Sequence, residues 1–167
     1  QALSLITNAD VVIENFRPGV MKRLGLDYAS VKSSNSGLIY LSLPGFASTD
    51  KERAHIQAWE GVIAAASGIF TEAHGIRQLL NFPPLYSSVP LSSAYGSMYS
   101  AIAVMAALAS REESGRGTVI EAPLVDAGWS TCVDKYKLRA ANPDTALSDA
   151  MKPLVYSPED NNTVQLK

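Results

Sequence analysis

Three side chains near the start of the chain, Asn15, Arg17 and Arg23, have the types and spacing of an anion-binding site. Asn15 and Arg17 directly follow a short apolar run at 11–13, and Arg23 lies in the helical pattern that Pro18 begins. Arginine presents a planar fork of donors that matches phosphate and carboxylate groups. A buried strand that ends in polar and cationic groups just before a helix is where open α/β sheets bind ligands. The same pattern is also typical of a strand–loop–helix unit with solvated charges, so both interpretations stay open here.

Four segments, taken in order, resemble one known family. The first is ENFRPG at 14–19 with the helical pattern after it, and the second is GLIYLSLPGF at 37–46. The third is AWEGVIAAASG at 58–68, and the fourth is GSMYSAIAVMAALASREESGRG at 96–117, which continues into VIEAPLVDAG at 119–128. Together they resemble the family III CoA-transferases (the CaiB/BaiF family), which include formyl-CoA, carnitine and α-methylacyl-CoA enzymes. The resemblance implies that coenzyme A is transferred between carboxylic acids.

The resemblance implies a nucleophilic carboxylate at position 92, where this chain has serine. In the family, an aspartate four residues before a glycine that matches Gly96 attacks an acyl-CoA thioester, giving a mixed anhydride and free CoA thiolate. The thiolate then forms an enzyme thioester, from which the acceptor acid takes the CoA. Ser92 is a poor substitute because a hydroxyl needs a base, and neither His55 nor His74 is near it in sequence. Ser92 is therefore either the catalytic position or simply the N-cap of the helix that follows.

Glu60 is the second candidate catalytic residue. Racemase-like family members have a His-Asp pair where this chain has Trp59 and Glu60, and formyl-transferase-like members have a Tyr-Glu pair. The pair here therefore resembles the transferase pattern more closely. A glutamate that opens an apolar helix is either held in a desolvated catalytic site or simply favours the positive end of the helix dipole.

The resemblance also implies which residues contact the coenzyme. Asn15 and Arg23 match family positions that hold the nucleotide, and Gln57 stands where some members have a lysine. The predicted coenzyme-binding residues are Asn15, Arg17, Gly19, Arg23, Gln57 and Trp59. The expected ligands are coenzyme A or acyl-CoA and a carboxylic acid, and no metal is expected.

Composition restricts the class of protein. The chain has 167 residues, of which 47% are hydrophobic and 18% charged, as in a globular domain with a substantial core. A net charge of −2 does not favour nucleic-acid binding. The single cysteine, Cys132, cannot form an internal disulfide and favours a cytoplasmic location. Because Ser110, Arg111 and Glu112 interrupt the longest apolar run, no membrane-spanning segment is expected.

The alternation of strands and helices predicts an α/β fold with an open, mainly parallel, Rossmann-like sheet flanked by helices. The predicted strands lie at 11–14, 37–43 and 118–122. The predicted helices lie at 2–7, 18–24, 28–33, 58–70, 92–110 and 123–141.

Residues 1–141 are expected to form part of a CoA-binding large domain, and 142–167 a linker toward a smaller second domain. The missing initiator Met and the absence of a first strand with a glycine turn suggest a fragment of that large domain. The family's interlocked homodimers imply a homodimer here.

Three functions stay open: an active CoA-transferase, a catalytically silent CoA-binding or scaffolding domain of a tandem or divergent protein, and a CoA-dependent racemase or isomerase. The substitution at Ser92 favours the silent domain, and the absence of a His-Asp pair at 59–60 disfavours the racemase.

Overall fold

The computed structural model describes residues 1–72 and 83–132. Three strands lie in this part of the chain: β1 (Val11–Glu14), β2 (Ile39–Ser42) and β3 (Thr118–Glu121). The helices are α1 (Ala2–Thr7), α2 (Val20–Arg23), α3 (Tyr28–Val31), α4 (Glu60–Ala66), α5 (Ile69–Glu72), α6 (Leu91–Ser114) and α7 (Leu124–Ser130).

The strands form one parallel sheet in the order β1–β2–β3, which confirms the predicted open α/β architecture. The register aligns Glu14, Ser42 and Glu121 across the three strands. Because the strands are parallel, all three side chains lie at the same carboxyl edge of the sheet. The sheet therefore collects polar groups where open α/β folds place their ligands.

The two faces of the sheet have separate cores. On one face, Tyr40 packs in a buried cluster with Ile6, Val31 and Leu38. Side chains alternate along a strand, so Ile39 and Leu41 point to the opposite face. Helix α6 contacts β2 and β3. Coverage of both faces explains why β2 is an almost continuous apolar run.

Helices α4, α6 and α7 pack closely at small residues. A Cβ atom added to Gly96 on α6 would lie 2.6 Å from Cδ2 of Leu124 on α7. A Cβ atom added to Gly128 on α7 would lie 2.6 Å from Oγ of Ser67 and 3.1 Å from Oγ of Ser92. Position 92 therefore lies in the junction of these three helices.

The structure corrects three predicted elements. The helix predicted over 58–70 is divided into α4 and α5, because Gly68 adopts a left-handed conformation (φ 81°) that ends α4. Helix α6 begins at Leu91 with Pro90 as its N-cap, so the expectation that Ser92 caps it is wrong. The helix predicted over 123–141 ends already at Ser130, where Thr131 is its C-cap. Residues 133–141 of that prediction, the linker 142–167 and His74 lie outside the described residues.

Helix α6 is the part of the described structure that bears on the expectation about membrane-spanning segments. By length and composition alone, this 24-residue helix is long and apolar enough to cross a membrane. Length and composition are weak evidence, because core helices of soluble proteins meet the same criterion. In this structure α6 packs against α4, α7, β2 and β3.

Candidate functional site

A cationic cleft lies beside the turn that joins β1 to α2. The cavity has a volume of about 570 Å³. The residues that line it are Arg17, Pro18, Gly19, Val20, Lys22, Arg23, Ala54 and His55. Among the described residues that line it are two arginines, a lysine and a histidine, and none of them has a carboxylate side chain. A cleft with this lining attracts anions, and arginine can bind phosphate or carboxylate through two parallel hydrogen bonds.

The β1–α2 turn is fixed at both ends by its own hydrogen bonds. At the end of β1, Glu14 Oε2 accepts the backbone N–H of Phe16 at 2.8 Å, and the other carboxylate oxygen accepts the Ser42 hydroxyl. Gly19 has a φ of 85°, and its carbonyl accepts the N–H of Arg23 at 3.1 Å. A left-handed residue at this point favours glycine. The turn thus brings Arg17 and Arg23 to the same cleft.

Ala54 and His55 of the segment after β2 also line the cleft, and Asp50 organises a compact turn in that segment. Its carboxylate accepts the backbone N–H of Arg53 at 3.0 Å and the Arg53 Nε–H at 2.6 Å. The Arg53 guanidinium lies 5.6 Å from the ring centre of the buried Phe46. Burial alone would raise the pKa of Asp50, but its hydrogen bonds and the Arg53 charge hold that pKa below its usual range. This turn holds His55 at the cleft.

The structure brings together three of the six predicted coenzyme-binding residues: Arg17, Gly19 and Arg23 line the cleft. Asn15 is exposed and does not line it. Gln57 and Trp59 also lie outside this cavity; the Trp59 indole is 70% exposed and donates a long hydrogen bond of 3.4 Å to Gln57 Oε1.

Sequence reasoning missed Lys22 and His55 as parts of the cleft. Lys22 directly precedes Arg23 in sequence, and this adjacency is enough to predict that it lies near the cleft. His55 is 32 positions after Arg23 in sequence, and only the fold places it there.

The Glu60 carboxylate accepts hydrogen bonds from the start of α6. Its Oε1 accepts the backbone N–H of Ser92 at 2.8 Å, and its Oε2 accepts the backbone N–H of Ser93 at 3.0 Å. The Ser93 hydroxyl also donates to Oε2. A carboxylate at a helix N-terminus satisfies orphan N–H groups and complements the helix dipole. The geometry therefore gives Glu60 a capping role for α6, supplied from another helix.

Ser92 is completely buried in the same junction. Its Oγ has no hydrogen-bond partner among residues 1–72 and 83–132. A serine nucleophile needs a base within hydrogen-bond reach and access for its substrate. In the described part of the chain, Ser92 has neither.

A second cavity, of about 440 Å³, adjoins the cleft and shares Arg17, Gly19 and Lys22 with it. It lies at the carboxyl edge of the sheet, with Glu14, Ser42 and Glu121 among its lining residues. Its aromatic wall includes Tyr40. Burial, followed by the negative charges of Glu14 and Asp27, raises the pKa of Tyr40 to about 12. Its lining thus combines the carboxylates of Glu14, Asp27 and Glu121 with the Arg17 and Lys22 that it shares with the cleft.

Comparison with known proteins gives a consistent result. The sequence profile of CoA-transferase family III matches residues 1–152. The chain is 47% identical over 127 residues to the CoA-transferase/lyase DddD of Marinomonas sp. (strain MWYL1), covering 76% of this chain and 15% of that protein. It is 36% identical over 124 residues to the acetyl-CoA:oxalate CoA-transferase of Acetobacter aceti, covering 74% of this chain and 31% of that protein.

A solved structure agrees. A CAIB/BAIF family protein from Brucella suis superposes with a TM-score of 0.77 at 30% identity, covering 87% of this chain and 37% of that chain. The chain thus spans less than two fifths of the length of each of these proteins.

Proposed function

Because the chain belongs to CoA-transferase family III, we propose that the protein binds coenzyme A or acyl-CoA and transfers coenzyme A between carboxylic acids through an enzyme-bound acyl intermediate. The observation that carries this proposal is the cleft lined by Arg17, Lys22, Arg23 and His55. The nucleotide end of coenzyme A has a diphosphate and a 3′-phosphate. A cleft that gathers cations, with no acidic residue in its described lining, suits such a ligand.

The coenzyme site is tested by titrating coenzyme A into the purified protein in a calorimeter. We expect Arg23→Ala to weaken binding roughly 10- to 100-fold, since a charge-assisted phosphate contact contributes about 1.5–3 kcal/mol. Arg116→Ala is the matched control: Arg116 is an exposed arginine just before β3, at the opposite edge of the sheet. Equal affinities of the wild type and Arg23→Ala would reject the cleft as the coenzyme site.

A catalytically silent coenzyme-binding domain is the second candidate function. It is favoured by the burial of Ser92 and by the use of the Glu60 carboxylate to cap α6. The two candidates differ in turnover with a panel of acyl-CoA donors and carboxylic acid acceptors. Turnover that survives Ser92→Ala would show that the protein is active without Ser92 as nucleophile. Binding of coenzyme A without turnover would support the silent domain.

The racemase alternative is disfavoured by Trp59 and Glu60, which replace the His-Asp pair.

We also propose a homodimer in the cytoplasm, with 1–141 as part of the large domain and 142–167 leading to a second one. The family resemblance supports the homodimer and the domain division, and the single cysteine supports the location. Light scattering after size-exclusion chromatography measures the oligomeric state directly.

A further inference from the structure

His55 stands out in the cleft because neither the sequence pattern nor the family resemblance gives it a role. We infer that His55 is a fourth phosphate-binding side chain of the cleft, and that its protonation strengthens coenzyme binding. The inference rests on the proposed function, because the phosphorylated end of coenzyme A is the anion concerned.

The position of His55 is set by an ordered turn. The carbonyl of Asp50 accepts the N–H of Ala54 at 2.9 Å, and the carbonyl of Arg53 accepts the N–H of Ile56 at 2.8 Å. His55 lies between these two hydrogen-bonded residues and is exposed on the cleft wall. A donor held on a pinned turn loses less conformational freedom on binding than one on a mobile loop.

The charges around His55 point to an anion. Arg17 from the β1–α2 turn, and Lys22 and Arg23 from α2, line the same cavity. On its own turn, the Asp50 carboxylate is paired with Arg53 at 2.6 Å, and the exposed Lys51 and Glu52 do not line the cavity. A phosphate bound among these groups favours the charged form of a histidine beside it, so we expect binding to take up a proton at His55.

Histidine is the side chain whose charge ordinarily changes between pH 5 and 8. Below that window the imidazolium donates a charge-assisted hydrogen bond to phosphate, and above it the neutral ring donates a weaker one. Coenzyme affinity is therefore expected to fall as the pH rises through this range, and the fall is expected to depend on His55.

The test is calorimetric titration of the protein with coenzyme A at pH 6.0 and 8.0, and at pH 7.0 in buffers of different ionisation enthalpy. The phosphates of the ligand also titrate, so the informative quantity is the difference between the wild type and His55→Gln. We expect His55→Gln to bind roughly 5- to 20-fold more weakly at pH 6.0 and nearly as well as the wild type at pH 8.0. The proton uptake at pH 7.0 should be smaller in the variant.

Lys51→Gln, which alters an exposed residue of the same turn that does not line the cavity, is the control and should retain the wild-type pH profile. The role of His55 would be overturned if the wild type and His55→Gln had the same pH profile and the same proton uptake. If affinity still depended on Arg23, the proposed function would stand. Affinity that is independent of Arg23 would reject the cleft as the coenzyme site and the role of His55 with it, and no coenzyme binding at all would overturn the proposed function as well. Unchanged thermal unfolding of His55→Gln would show that any loss of affinity is local.

Discussion

Glu60 shows how one residue connects two helices. Its carboxylate accepts the N–H groups of Ser92 and Ser93 at the start of α6. We expect Glu60→Ala to lower the free energy of unfolding by about 2 kcal/mol, because it leaves these N–H groups without their acceptor. Urea unfolding followed by circular dichroism measures the change.

Glu60→Gln separates the capping role from a catalytic one. The amide oxygen can still accept one hydrogen bond, so the loss of stability should be about half of that in Glu60→Ala. Ser93→Ala, which removes only the hydroxyl donor to Glu60, should cost about 1 kcal/mol. A Glu60→Gln variant that kept full stability but lost turnover would contradict capping as the main role of this residue.

Because of Tyr40, the free energy of unfolding is expected to fall as the pH rises into the alkaline range. Its ring is buried and its hydroxyl donates to the carbonyl of Leu26 at 3.1 Å. Its pKa rises from 10.0 to about 12 on folding, so stability is complete below pH 10. Between pH 10 and 12 the unfolded chain ionises first, and the free energy of unfolding should fall by roughly 1–2 kcal/mol once solvent screening of the charges is allowed for.

This alkaline loss is measured by urea unfolding at pH 9, 10 and 11. Tyr40→Phe should remove the contribution of Tyr40 while costing about 1 kcal/mol at neutral pH through the lost hydrogen bond to Leu26. The same alkaline loss in the wild type and Tyr40→Phe would assign the effect to other groups.

At the residue level, sequence could predict the cleft only in part. Arg17 and Arg23 can be predicted from their spacing after a strand, and Gly19 from the family resemblance. His55 enters the cleft through the turn that Asp50 organises. The capping role of Glu60 depends on an approach between residues 32 and 33 positions apart. Such contacts result from tertiary packing, which local sequence patterns do not predict.

At the element level, all three strands and most helices could be predicted, because their signals are local. β2 is apolar since both its faces are covered, and Gly115 (φ 65°) ends α6 in the left-handed conformation that favours glycine. The division between α4 and α5 was missed because the apolar pattern continues across Gly68. Periodicity identifies a buried helical segment but does not show a break within it.

Gly117 allows β3 to approach β2, and its substitution is a test of that packing. A Cβ atom there would lie 2.0 Å from the carbonyl oxygen of Leu38, a backbone atom that cannot move aside cheaply. We expect Gly117→Ala to lower the free energy of unfolding by about 3 kcal/mol. Gly37→Ala is the matched control, because the nearest atoms to its added methyl group, on Arg111 and Asn35, lie 3.8 Å away. Similar urea midpoints for the two variants would contradict the close approach.

At the scale of the whole molecule, α6 leaves a large apolar surface uncovered in the described structure. Met98, Ile102 and Met105 are each more than 60% exposed, and Tyr95 lies one turn before Met98. Apolar patches of this kind usually mark contact surfaces. Such a surface is what the proposed homodimer would need.

The distribution of charge over the molecule leads to the last prediction. The chain as a whole has a net charge of −2, yet the cleft gathers Arg17, Lys22 and Arg23. Attraction of a phosphorylated ligand to such a local field is weakened by salt, because the Debye length falls from roughly 10 Å at 0.1 M to about 3 Å at 1 M. We expect the affinity for coenzyme A to fall about tenfold between 50 and 500 mM NaCl. Arg23→Ala should flatten this dependence, whereas Arg116→Ala should leave it unchanged. A salt dependence that is the same in all three proteins would show that the coenzyme binds through groups outside the cleft.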